Sequence, residues 1–209
     1  MKILIVSDIH QDEQSVEKIK GKMDSGDFDY LFVCGDIAKS VSFTEEFIEK
    51  FKDAFIIPGN WETEEVNDAL KKAKNYINEK KCGLSDGLNV VGFGYSNITP
   101  FNTFGELHEE DILDRMSKLN IDNNTILLLH CPPKGFFDEI NNEFVGSESI
   151  LKIIEEKKPA LAVFGHVHEH YGVTMLEQTK LIKVPAAVDM KCAELTIKNK
   201  EVTVEFVML

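Results

Sequence analysis

Lys2-Ile3-Leu4-Ile5-Val6-Ser7-Asp8-Ile9-His10 opens the chain with an unbroken apolar run that ends in an aspartate and a histidine two residues apart. A run without polar alternation is the mark of a strand covered on both faces, as in parallel sheets. The arrangement recurs. Leu31-Phe32-Val33-Cys34 leads into Gly35-Asp36, Phe55-Ile56-Ile57 into Pro58-Gly59-Asn60, Ile126-Leu127-Leu128-Leu129 into His130, and Leu161-Ala162-Val163-Phe164 into Gly165-His166-Val167-His168. Apolar residues at helical spacing separate the first of these strands: Val16, Ile19 and Met23 within 13–23, the stretch 43–51, and Val66, Leu70, Ala73 and Ile77 within 64–77. This βαβαβα alternation predicts a largely parallel sheet with right-handed crossovers. A strand is expected over 88–93 and helices over 106–119 and 147–156. Beyond residue 170 the helical period is lost, and 171–176, 180–184, 192–197 and 202–207 read as short strands joined by turns such as Asn199-Lys200. The expectation is two sheets, one mostly parallel and one fed by this antiparallel tail, with helices outside.

No linker or repeat divides the 209 residues, so residues 1–209 are read as a single domain, long enough to fold around its own core without disulfides or a structural metal. With 23 basic against 36 acidic side chains, the net charge is −13, which disfavours long nucleic acids. Arg115 is the only arginine, so a substrate phosphate cannot be held by a several-arginine clamp. No apolar run reaches membrane-spanning length, and Cys34, Cys82, Cys131 and Cys192 are widely scattered, which suits a cytoplasmic protein with reduced thiols and no membrane partner. The oligomeric state leaves no trace in the sequence.

Ligands of open α/β sheets bind beyond the carboxyl ends of the strands. There the sequence places Asp8, His10, Asp36, Asn60, His130, His166 and His168. An aspartate or asparagine after one strand is explained by a simple turn. Five strand ends carrying two aspartates, an asparagine and four histidines are better explained by metal. Seven ligand side chains exceed the three or four that one zinc-like ion takes, so two ions are expected, with the Asp36 carboxylate as the natural bridge. Imidazole, carboxylate and amide oxygen without thiolate suit Mn²⁺, Fe or Zn²⁺. Mn²⁺ is the expected ion, with Fe, Ni²⁺, Zn²⁺ and Mg²⁺ as alternatives.

These blocks resemble the calcineurin-like metallophosphoesterase family, whose pattern runs Asp-x-His, Gly-Asp, Gly-Asn-His-Asp/Glu, His, Gly-His-x-His; the match spans Asp8 to His168. The resemblance implies a four-layer α/β/β/α sandwich of two mixed sheets flanked by helices. It also implies two metals, one held by Asp8, His10, Asp36 and His168, the other by Asp36, Asn60, His130 and His166. Paired ions can hold a bridging hydroxide for in-line attack and neutralise the phosphoryl oxygens, which supplies the positive charge that arginines do not. The expected activity is therefore that of a dinuclear metal-dependent phosphoesterase, all seven ligands serving catalysis.

The sequence departs from the family at Trp61, where the Gly-Asn-His block would have the histidine that helps protonate the leaving oxygen. Indole cannot act as a general acid near neutral pH. Small microbial relatives that lack this histidine tend to be phosphodiesterases, so hydrolysis of a small or nucleotide-like diester is expected. Phosphomonoesterase or nuclease activity is the alternative of the same class, and a non-catalytic protein-binding scaffold the alternative of another. Trp61 is either a flat face for a base or aryl group or a residue packed beside the rim. Glu62 is read as a structural or solvated carboxylate. His170 continues the alternation of His166 and His168 and would reach the site only if the chain stays extended. His108 is read as a solvated helix residue, and Lys39, Lys134 and Arg115 as surface charges weighed as phosphate contacts. Residues 135–146, with Phe136, Phe137 and Phe144, form a candidate mobile lip.

Overall fold

The computed structural model describes all 209 residues. The chain opens with β1 (Lys2–Val6), α1 (Glu13–Ser25), β2 (Tyr30–Val33), α2 (Val41–Lys50) and β3 (Phe55–Ile56), then α3 (Glu64–Leu70), β4 (Lys81–Gly83) and β5 (Asn89–Phe93). A two-residue pair, β6 (Ser96–Asn97) and β7 (Glu106–Leu107), precedes α4 (Glu109–Ser117) and β8 (Thr125–Leu129). A second short ribbon, β9 (Glu139–Ile140) with β10 (Glu143–Phe144), leads to α5 (Glu148–Lys157) and β11 (Leu161–Phe164). The remaining strands are β12 (Gly172–Leu176), β13 (Thr179–Lys183), β14 (Lys191–Lys198) and β15 (Glu201–Met208).

Two mixed sheets result, one in the order β15-β14-β1-β2-β3 and the other β12-β13-β11-β8-β5-β4. Alternation along the strands sorts their side chains into layers. Ile3 and Ile5 of β1 meet Ile126 and Leu128 of β8 in an apolar layer between the sheets. Leu4 and Val6 face the other way, against Val16 and Ile19 of α1, Phe47 of α2 and Leu70 of α3. Leu127 and Leu129 of β8 likewise turn to Ile112 and Met116 of α4 and to Ile150, Ile153 and Ile154 of α5. The four-layer α/β/β/α sandwich is thus the consequence of strands that are apolar on both faces. Helices α1, α2, α3 and α5 begin on side-chain caps, at Asp12, Ser40, Thr63 and Ser147, each accepting from the backbone N–H three residues on; α4 begins at His108 without one.

Three expectations need correction. The helical pattern over 64–77 ends at Leu70. Leu70 and Ala73 pack under the first sheet, but Ile77 enters the layer between the sheets. The reason is backbone pairing: Ile56 N–H donates to Asn75 O at 3.0 Å, Ile77 N–H to Ile56 O at 2.9 Å and Glu79 N–H to Gly92 O at 2.8 Å, so 75–79 stitches the two sheets together. The expected helix over 106–119 begins only at Glu109, because Glu106 and Leu107 pair with Ser96 and Asn97. The antiparallel tail feeds both sheets, not one. β12 and β13 form an antiparallel hairpin whose β13 runs parallel to β11, whereas β14 and β15 extend the other sheet through antiparallel pairing with β1. Asn199 and Lys200, at φ of 53° and 68°, make the two-residue turn between the last two strands. No helix is long and apolar enough to cross a membrane.

Candidate metal centre

The carboxyl ends of β1, β2, β3, β8 and β11 converge, and backbone hydrogen bonds between the turns fix how they do so. Asp8 N–H donates to Gly35 O at 3.1 Å, His10 N–H to Asp36 O at 2.9 Å and Gly165 N–H to His130 O at 3.0 Å. Asp8, His10, Asp36 and His166 all have positive φ, between 49° and 77°, a left-handed conformation uncommon for residues bearing a β-carbon and most accessible to Asp, Asn and His. Two glycines are required by close approach. A Cβ on Gly59 would overlap Asp36 Oδ1, and one on Gly165 would overlap Ser7 Oγ and crowd Asp8.

Asp8, His10 and His168 form one cluster, and Asp36, His130 and His166 another. In the first, His10 Nε2 lies 3.3 Å from His168 Nε2, and Asp8 Oδ1 lies 3.5 Å from His168 Nε2 and 3.9 Å from His10 Nε2. In the second, His130 Nε2 lies 3.2 Å from His166 Nδ1 and 2.8 Å from Asn60 Oδ1. Asp36 stands between them: its Oδ1 is 3.4 Å from His130 Nε2 and its Oδ2 is 3.7 Å from His10 Nε2. The structure therefore brings together all seven residues singled out from the sequence, with Asn60 joining the second cluster through its amide oxygen.

The arrangement has more acceptors than protons. Asp8 Oδ1 is buried without a hydrogen-bond partner, while Oδ2 accepts from His166 N–H at 2.9 Å. His130 Nδ1 donates to Cys34 O at 2.7 Å, which leaves Nε2 with a lone pair aimed at the oxygens of Asn60 and Asp36. Burial pushes His10 down to about 4 and His166 down to about 3, the latter helped by His130, and it lowers His130 as well. Those imidazoles are neutral at pH 7, the form that ligates metal. His168 is raised instead by the Asp8 carboxylate 3.5 Å from its Nε2. Of the two carboxylates, burial and then the charge of Asp8 push Asp36 up to about 8. Burial also works against Asp8, but the adjacent His168 imidazole and the positive charge of Lys183 outweigh it and hold Asp8 low. An orphaned oxygen, opposed lone pairs and a carboxylate that resists ionisation fit the donor set of two divalent cations.

Three other residues build the site. Glu62 is fully buried, accepting from Ile37 N–H and from Gly59 N–H at 2.8 Å, so it ties the turn after β2 to the turn after β3. Of its two sequence readings, the structural one holds. Thr103 was not legible from sequence. Its Oγ1 accepts from Asn60 Nδ2 at 2.6 Å and donates to Glu106 Oε1 at 2.7 Å, which turns the Asn60 amide so that Oδ1 faces His130. Thr103→Val keeps the volume and removes this acceptor, and is expected to weaken metal binding about 10–100-fold, as loss of an outer partner of a ligand does. Titration calorimetry with Mn²⁺ checks it, with Thr103→Ser expected to restore affinity. Lys183 is the third, a fully buried amine that donates to Val184 O at 2.9 Å and is pushed down to about 8 by burial. Nothing in the apolar pattern of 180–184 marks it as buried.

The remaining candidates lie elsewhere. His170 turns to Glu139 O at 2.9 Å and stays outside both clusters. Arg115 pairs with Glu79 and Lys134 with Glu148. The expected lip over 135–146 is clamped at its base, where Asp138 Oδ2 accepts from Gly135 N–H at 3.1 Å and Gly146 N–H at 2.8 Å. Phe136 and Phe137 pack against the core, and of the three phenylalanines only Phe144 faces out.

The sequence model of the calcineurin-like phosphoesterase family matches residues 1–170. The chain is 34% identical over 197 residues to the uncharacterized protein MJ1162 of Methanocaldococcus jannaschii, covering 87% of each chain. Among solved structures it resembles TT1561 of Thermus thermophilus, with a TM-score of 0.75 at 15% identity over 98% of this chain and 97% of that one. It also resembles a dimetal phosphatase of Danio rerio, with a TM-score of 0.65 at 7% identity over 99% and 95%. The two structural likenesses are likenesses of fold.

Proposed function

The chain belongs to the calcineurin-like phosphoesterase family, and on that premise we propose that it is a dinuclear metal-dependent phosphodiesterase acting on a small or nucleotide-like diester. The observation that carries the reading is the position of Asp36, whose two oxygens face two separate imidazole clusters. Asp8, His10, Asp36 and His168 would hold one ion, and Asp36, Asn60, His130 and His166 the other. Two such ions supply Lewis acidity toward phosphoryl oxygen and acidify water. Mn²⁺ is the first candidate for this nitrogen and oxygen donor set.

The chain's own residues supply orientation. The Cys34 carbonyl fixes the His130 tautomer, Thr103 fixes the Asn60 amide, and Trp61 N–H, donating to Asp36 Oδ1 at 2.9 Å, fixes the shared carboxylate. Where a general acid would stand, the Trp61 ring lies edge-on to His10 with centroids 4.8 Å apart. An indole N–H does not transfer a proton near neutral pH, so no side chain at this position protonates the leaving oxygen. Esters with good leaving groups are favoured accordingly. Cys34, Cys82, Cys131 and Cys192 are all free thiols, which suits the cytoplasm we propose as its compartment.

The test is a panel of activated monoesters, activated diesters and cyclic nucleotides assayed with Mn²⁺, Mg²⁺, Ni²⁺ and Zn²⁺ against an EDTA-treated control. The expected result is metal-dependent turnover with diesters ahead of monoesters. Preference for monoesters would move the assignment to phosphomonoesterase, and turnover that survives EDTA would reject the metal centre.

A further inference from the structure

Trp61 carries a second neighbour besides His10. Lys39 Nζ lies over its ring at 4.5 Å from the centroid. Lys39 is exposed, and its ammonium has neither a carboxylate within 4.0 Å nor any hydrogen-bond acceptor in the protein. Lys20, Lys22, Lys50, Lys71, Lys72 and Lys74 are each tied to an acidic partner, whereas Lys39 shares its lack of one with Lys18 and Lys191. What sets Lys39 apart is its place: in a chain of net charge −13 it puts a cation on the same Trp61 ring that contacts His10.

The backbone holds this cation in a set place. Gln11 Oε1 accepts from Lys39 N–H at 3.3 Å and from Ser40 N–H at 3.1 Å, and Gln11 N–H donates to Ile37 O at 2.8 Å. Gln11 follows His10 directly, so the turn bearing Lys39 is stapled to the turn bearing the ligand. A cation–π contact at an exposed site is worth about 0.5–1 kcal/mol, enough to bias where the ammonium rests without occupying its N–H donors. With Lys39 on it, that face of Trp61 is not free for a stacked base.

We propose that Lys39, braced on Trp61 beside His10, binds a second phosphate-type anion of the substrate, one carried beyond the diester that is cut. The substrate class is then a phosphodiester with an additional anionic phosphate, not a neutral-tailed diester. This rests on the phosphodiesterase reading, and it assigns Lys39 to specificity, since the ammonium recognises a group remote from the bond that breaks. Three donors on a point charge suit phosphate from several directions.

The experiment compares two p-nitrophenyl phosphodiesters, one whose second alcohol is ethanol and one whose second alcohol is 2-phosphonoethanol, on the Mn²⁺-loaded protein. The wild type is expected to prefer the phosphonate-bearing ester. Lys39→Met is expected to lower the ratio of the two kcat/KM values about tenfold, mainly through KM, as loss of a charge-assisted hydrogen bond does. Lys39→Arg is expected to restore most of the ratio and Lys39→Glu to invert the preference. The wild-type ratio kept within twofold in Lys39→Met would overturn the proposal. If the wild type turned over neither ester, the phosphodiesterase reading would fall instead. Equilibrium titration with 2-phosphonoethanol would then decide the subsite alone: weaker binding to Lys39→Met than to wild type supports it, and equal binding overturns it.

Discussion

Asp36→Asn is expected to lower metal-dependent hydrolysis of an activated diester by more than about 100-fold, beyond the range for losing an outer partner of a ligand, while making the metal-free protein more stable. The two effects have one cause. Asp36 is nearly fully buried between the clusters, and burial together with the charge of Asp8 pushes its carboxyl up from 3.8 to about 8. The unfolded chain ionises this group near 3.8, so between that pH and about 8 the unfolded state has lost the proton that the folded state keeps. Folding stability therefore falls as pH rises through that window when no metal is bound. Asparagine is the same shape, still accepts from Trp61 N–H through Oδ1, and carries no charge, so it removes this loss together with the anionic bridge. Melting temperatures of EDTA-treated wild type and Asp36→Asn from pH 5 to 8 check the stability half. The gap between the variants should widen as pH rises; a constant gap, or a variant that melts lower throughout, would contradict this account of Asp36.

Leu128→Ala is expected to cost about 2–5 kcal/mol of folding stability, from lost apolar transfer and the cavity left behind. Leu128 is fully buried in the layer between the sheets, on the central strand β8, two residues before His130. Its neighbours belong to two hydrogen-bonded sheets, which cannot close around a vacated side chain as a single helix could. The melting temperature should drop on the order of 10 °C. Met175→Ala, at a side chain 51% exposed on β12, is the control and should shift stability by no more than about 0.5 kcal/mol. Similar losses in both variants would mean that the layer between the sheets is not the main core.

Much of this was legible in the chain itself, because burial on both faces leaves a strong signature. The runs ending at Val6, Leu129 and Phe164 needed no context to be read as strands, and the residues after them form the site. Polar residues confined to strand ends are similarly conspicuous. What was hidden depends on contacts between distant segments. The stitch of 75–79 across two sheets satisfies backbone groups that a helix would otherwise have satisfied, and no local pattern distinguishes the two outcomes. Thr103 lies 43 residues from the Asn60 that it orients, in a stretch with no periodicity. The tail offered four correct strands but not their partners, since strand pairing is decided by which sheet edge is open and not by composition. Glu62 shows the limit within a motif: sequence leaves it either structural or solvated, and only the turn after β2, 25 residues away, decides that its carboxylate accepts from two backbone N–H groups beneath the rim.

If these strand ends hold two cations around a shared carboxylate, anomalous diffraction from a crystal soaked in Mn²⁺ will show it without recourse to any substrate. Two peaks are expected, one among Asp8, His10 and His168, the other among Asn60, His130 and His166, with Asp36 between them and both absent after EDTA. A single peak, or none in that pocket while Mn²⁺ binds elsewhere, would contradict the dinuclear centre.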